Sequence, residues 1–141
     1  MLGIREAEHE ETAPGASELV ISKLTCSLVG QTQVVKIMPG TRAHRAYGKE
    51  ESSEQFRCNY GLNPAYQEEI GKRGLKIVGV DLDGQARIVE LPDHRFFIAT
   101  LFLPQLSSSP DRPHPLIVAY LRAAIAFQAF NVREGHRQRD I

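Results

Sequence analysis

Apolar and polar positions alternate through residues 19–26 (LVISKLTC) and 32–38 (TQVVKIM), two runs rich in β-branched side chains. The short step across residues 28–31 predicts that they pair as a hairpin. Pro39-Gly40 ends the second run, and Thr41 stands where it can cap a short helical turn reaching Tyr47. Residues 55–60 predict a strand, although a polar one. Asn63-Pro64 then opens a helix, with Asn63 as cap and Pro64 in the first turn. Tyr66 and Ile70 share one face of it, and Gly74 is the stop. A second hairpin follows from LKIVGV (75–80), the turn Asp83-Gly84 and ARIVEL (86–91). Residues 96–102 are nearly all apolar, the pattern of a strand buried on both faces. After a Ser- and Pro-rich loop at 104–115, a helix is predicted to Phe130, with Leu116, Tyr120, Ala124 and Phe127 three or four apart. Residues 1–18 are acidic and then turn-rich, and the polar segment 132–141 is expected to fray. The order describes a mixed α/β domain with more strands than helices.

Composition narrows the function classes. The 141 residues, 42% of them hydrophobic, make one domain with one core. Seventeen basic side chains balance 17 acidic ones, so there is no surplus of positive charge to neutralise phosphates, and no nucleic acid partner is expected. The longest apolar stretch, residues 116–130, is interrupted by Arg122 and is shorter than the roughly 20 residues of a membrane span. Residues 1–11 are acidic where a secretory signal would be basic and then apolar. A cytoplasmic protein with no membrane partner is the expectation. Cys26 and Cys58 are too few for a disulfide framework and match no zinc spacing, so neither metal nor cofactor is expected.

Candidate chemistry read from residues alone is sparse. Residues 8–11 (EHEE) lack the HExxH spacing and read as a solvated acidic segment. His94 and His114 stand beside loop prolines, which suits structural or surface roles. Cys58 adjoins Arg57, and a cation beside a thiol favours its reactive form. No histidine is near it in sequence, so an inert, half-buried thiol is expected. No phosphate loop and no GxSxG elbow is present. These residues by themselves leave the function open.

Longer motifs say more. Residues 88–97, IVELPDHRFF, resemble the IVELPDHPFF segment of the glutamine amidotransferase domain of CTP synthase. The similarity continues through IATLF (98–102) and RPHPL (112–116), the latter like the family's RPHPLF. Upstream, KIMPGTRA (36–43) is similar to KLKPGTRA, and Leu2-Gly3-Ile4 to the LGL that follows the family's nucleophile helix. The matches are collinear over residues 1–128. The resemblance implies an α/β class I glutamine amidotransferase fold, flavodoxin-like and three-layered, present here as its C-terminal portion over residues 1–131. It implies a mixed, largely parallel sheet flanked by helices. The implied reaction is hydrolysis of glutamine to glutamate and ammonia, the ammonia feeding pyrimidine nucleotide synthesis. A cysteine at a strand-to-helix elbow attacks the amide, and a histidine oriented by a glutamate activates it, because a neutral thiol needs an adjacent base.

Three departures bear on that chemistry. The family's GxCLGMQ segment precedes LGL, where this sequence has Met1, and neither Cys26 nor Cys58 stands at that place. Where the family has QFHPE, residues 101–105 read LFLPQ, so Leu103 replaces the histidine and Gln105 the glutamate. The family's RHRYE is RCNYG at 57–61: Arg57 and Tyr60 are kept, and Asn59 takes the place of the arginine that contacts the substrate carboxylate. Glu11 aligns with the glutamate of the family's STEF segment. By resemblance, Glu11, Arg57, Asn59 and Tyr60 would form a ligand-binding set sharing one cleft with Leu103 and Gln105. The expectation is an amidotransferase-like domain without the usual glutaminase activity, its partner a small amino-acid-like ligand or a synthetase domain. Two alternatives stay open: an enzyme of altered chemistry whose nucleophile is encoded upstream, and a non-catalytic interaction module. A homodimer is expected as well, because the strand at 96–102 would lack neighbours on one side.

Overall fold

The computed structural model describes residues 2–137, which form two sheets and three helices. In the smaller sheet, β2 (Leu19–Lys23) lies between β1 (Glu8–His9), parallel to it, and β5 (Tyr60–Leu62), antiparallel. The larger sheet is antiparallel throughout. Its order is β4 (Glu51–Gln55), β3 (Thr32–Ile37), β6 (Lys76–Val80), β7 (Ala86–Glu90) and β8 (Ile98–Thr100). The largely parallel sheet implied by the resemblance is therefore not what these strands form. Among the described pairs only β1 and β2 are parallel. Short connections join β6 to β7 (residues 81–85) and β7 to β8 (residues 91–97), and such short connections permit only antiparallel pairing.

The hairpin predicted from residues 19–38 does not form, since β2 and β3 belong to different sheets. The segment between them has another partner. Leu24 N–H donates to Asn59 O, Leu28 N–H to Cys58 O and Gly30 N–H to Phe56 O, so the connection runs alongside residues 56–59. That course buries Leu28 and uses the positive φ of Gly30, 74°. The polar strand predicted at 55–60 straddles this crossing. Pairing with β3 ends at Gln55 and pairing with β2 begins at Tyr60.

The second hairpin forms where it is predicted, β6 against β7. Thr41 caps α1 (Arg42–Tyr47) by accepting from His44 N, and Gly48 closes that helix at φ 66°. Asn63 caps a 3-10 turn (Pro64–Tyr66) that leads into α2 (Gln67–Lys72). The apolar run 96–102 gives only the three-residue edge strand β8, not a strand buried on both faces, and Ala99 is exposed. Its large side chains serve separate purposes. Phe96 lies near Arg42 and Tyr120, Phe97 packs edge-on against His94, and Phe102 enters the core beside Phe56. The final helix, α3, runs Pro115–Arg137, so fraying does not begin at Asn131; no proline interrupts the segment and each added residue adds a hydrogen bond. The last residues of the expected tail, 138–141, lie outside the described ones.

The core sits where α1 and the start of α3 meet the larger sheet. Val35, Ile37, Val78 and Ile88 supply the sheet side, with Ala43 and Leu116 from the helices and the Phe56–Phe102 pair at one end. Glu90 fixes α1 to this sheet, its carboxylate accepting from Arg42 N (3.0 Å) and Ala43 N (3.3 Å). Arg42 reaches back to the carbonyls of Pro92 (3.3 Å) and His94 (3.0 Å). The KIMPGTRA and IVELPDHRFF motifs thus clasp each other.

Candidate functional site

Residues 57–60 join the segments that the resemblance brings to one place. On one side, the Tyr60 ring lies 5.1 Å from that of His9, and Glu11 N–H donates to His9 Nδ1 at 3.1 Å. On the other, Cys58 Sγ donates to Leu101 O at 3.2 Å, and Leu103 N–H donates to Gln55 O at 3.1 Å. Gly61 is the tight point between them: a Cβ there would lie 2.8 Å from Leu24 Cδ2 and 3.2 Å from Leu101 Cδ2.

Tyr60 and Leu103 are half-buried, whereas Glu11, Arg57, Asn59 and Gln105 are exposed. Among the described residues the Glu11 carboxylate makes no hydrogen bond or ion pair, and its tie to this region is its own backbone amide. Leu103 is extended backbone leading into the 3-10 turn Pro104–Ser107, which carries Gln105. A leucine side chain cannot transfer a proton, and an uncharged amide stabilises an imidazolium less than a carboxylate does. The Cys58 thiol is spent on a carbonyl, and Cys26 is exposed in the connection after β2.

A histidine–carboxylate pair does exist, but elsewhere, and the sequence reading missed it. Glu54 on β4 and His114 just before α3 meet with Nε2 3.2 Å from Oε2, their side chains 2% and 3% exposed. Tyr47 from the end of α1 donates to the same carboxylate at 2.6 Å, and Ser52 donates at 2.8 Å. Leu116 N–H donates to His114 Nδ1, so that nitrogen is unprotonated and Nε2 carries the ring proton toward Glu54. Burial pushes the Glu54 carboxyl up. The hydrogen bonds from His114, Tyr47 and Ser52 outweigh burial and hold it below the usual carboxylate range. Burial, with the adjacent carboxylate, raises the Tyr47 hydroxyl far above its ordinary value. The available signal was alternation: in β4 (ESSEQ) Glu54 falls on the inward face, where an acidic residue needs donors.

A second buried pair locks the β6–β7 turn. Arg87 Nη2 lies 2.6 Å from Asp81 Oδ2, and Asp81 Oδ1 accepts from Asp83 N and Gln85 N.

No protein-family model matches the chain. It is 37% identical over 133 residues to the CTP synthase of Carboxydothermus hydrogenoformans, covering 87% of this chain and 25% of that protein. It is 46% identical over 96 residues to the CTP synthase of Archaeoglobus fulgidus, covering 67% of this chain and 18% of that one. Among solved structures, the Trypanosoma brucei CTPS glutaminase domain with bound acivicin superposes with a TM-score of 0.82 at 26% identity. That superposition covers 89% of this chain and 53% of the other. The chain is CTP-synthase-like, with the fold of the glutaminase domain. This is the α/β class I amidotransferase fold that the motifs imply. The chain spans a quarter or less of the length of these two curated relatives.

Proposed function

We propose that this chain is a CTP-synthase-like glutamine amidotransferase module that does not itself hydrolyse glutamine by the thiol–histidine–glutamate route. The observation that carries the reading is the pair at the end of β8. Leu103 and Gln105 stand where the family's motif has histidine and glutamate: Leu103 cannot act as base, and Gln105 has neither a carboxylate's charge nor a histidine at 103 to orient. The histidine–carboxylate pair that the fold does contain is buried and committed, through Leu116 N–H and Tyr47, to holding α3 and α1 on β4. In this reading Arg57, Asn59, Tyr60 and Glu11 serve to hold a small amino-acid-like ligand, and a synthetase domain is the partner. A homodimer belongs to the same proposal. It is supported by β8 at the sheet edge and by large apolar side chains exposed on α3, Leu121, Ile125 and Phe130 among them. The test is release of glutamate and ammonia at millimolar glutamine by the purified chain. No release above a protein-free control is expected, and turnover that co-purifies with the chain through successive columns would overturn the reading.

A further inference from the structure

A polar cleft of about 380 Å³ opens between the α1–β4 segment and the loop that leads into α3. Its lining includes none of residues 57–60 or 101–105, and the proposed function makes no use of it. Lys49 and Ser53 line it from the α1–β4 side, and Ser107 and Arg112 from the loop before α3. Among the described residues, none of these four side chains makes a hydrogen bond or an ion pair. The floor is the Tyr47–Glu54–His114 cluster, where the Glu54 carboxylate turns to three donors of its own protein. Those bonds satisfy its oxygens, and Lys49 and Arg112 remain the cations of the lining. The first turn of α3 begins on the rim at Pro115, which adds the positive end of a 23-residue helix.

We infer that this cleft binds a small phosphorylated metabolite, with Arg112 and Lys49 gripping the phosphate and Ser53 and Ser107 donating to its oxygens. Two cations and two hydroxyls lining one cleft from separate segments suit a tetrahedral oxyanion, which accepts from several directions at once, and a guanidinium can grip it with two parallel N–H groups. The volume exceeds what the bare ion fills, which leaves room for the body of the metabolite. A carboxylate, planar with two oxygens, would use fewer of these donors.

The probe is inorganic phosphate, titrated at constant ionic strength and followed by phosphorus NMR and by amide shifts of residues 49–54 and 107–116. Acetate serves as the carboxylate comparison. Saturable phosphate binding is expected, weakened about tenfold or more by Arg112→Gln, the loss of one charged hydrogen-bonding partner, and also weakened by Lys49→Gln. Both side chains are exposed, so both variants should melt with the parent in the absence of phosphate, and that melt shows that they fold. Absence of saturable binding, equal binding of acetate, or phosphate binding unchanged by Arg112→Gln would overturn the proposal. Because the cleft shares no residue with Leu103, Gln105 or the 57–60 segment, glutamine turnover leaves this result unaffected, and failure here leaves the proposed function untouched.

Discussion

Replacing His114 by alanine should be among the most damaging single changes in this chain. The imidazole gives the Glu54 carboxylate one of its three side-chain donors, accepts Leu116 N–H at the start of α3, and packs against Tyr47 and Phe102 at ring separations of 5.5 and 6.3 Å. Alanine leaves a carboxylate in a 2% exposed side chain with Tyr47 and Ser52 alone, an amide without its partner, and a hole between two aromatic rings. Leaving a buried carboxylate and an amide each short of a partner, together with the cavity, costs about 3–5 kcal/mol. Set against a total stability of about 5–15 kcal/mol, that brings the fold near its limit, with a fall in Tm on the order of 15 °C. Glu54→Gln is the milder control. Its carbonyl still accepts from Tyr47 and Ser52, so a loss of about 1–2 kcal/mol is expected. With both changes together the loss should be smaller than the sum, since the second removes the charge stranded by the first. The chain has no tryptophan, so urea unfolding is followed by far-UV circular dichroism. The pH dependence has a definite sign. Glu54 is held below the usual carboxylate range, so its contribution is complete above the ordinary carboxylate pKa of about 4.3 and fades as pH falls through its lowered folded value. Glu54→Gln should flatten that acid limb. A His114→Ala protein within about 1 kcal/mol of the parent would refute this account of how α3 is held.

Other positions give sharper comparisons. A Cβ at Gly79 would lie 2.6–2.8 Å from three atoms of fully buried Ile88, so Gly79→Ala should cost about 1–3 kcal/mol by overpacking. Gly61→Ala meets the movable end of Leu24 and should cost less, and equal urea midpoints for the two would contradict that ranking. At the β6–β7 turn, Asp81→Ala strands a buried guanidinium and frees two turn amides, so it should destabilise more than Arg87→Met, which leaves Asp81 with those amides. Urea melts check this, and the reverse order would show the turn bonds to be unimportant. Sedimentation at micromolar concentration should show a dimer; a single monomeric species would remove the homodimer from the proposal.

Much of the fold was legible because local signals agreed with it. Thr41, Asn63-Pro64, Gly74 and the Asp83-Gly84 turn each fix a boundary through backbone chemistry acting over a few residues. What misled was period without partner. Residues 19–26 and 32–38 both read as strands, but alternation does not say which strand pairs with which. That choice was made by amides at Leu24, Leu28 and Gly30 bonding to a segment about thirty residues away. The apolar run at 96–102 misled for a related reason, its phenylalanines packing on Arg42, His94 and Phe56 instead of covering two sheet faces. The motifs that carried the resemblance turn out to be scaffold: Thr41 caps, Glu90 accepts from α1, and Arg42 holds the 92–94 carbonyls. Motifs of that kind identify a fold and are silent on activity. His114 was visible in RPHPL and read as structural or surface. Its partner Glu54 was not, because their meeting depends on α3 returning to β4.

The central claim is that an amidotransferase fold is present and its hydrolytic step is not. Glutamine carrying a nitrogen-15 side-chain amide, held with an equimolar amount of the chain and followed by NMR over hours, tests it most directly. The account predicts an amide resonance of constant intensity and no ammonium signal beyond that of glutamine alone. Ammonium growing in proportion to protein concentration would contradict it.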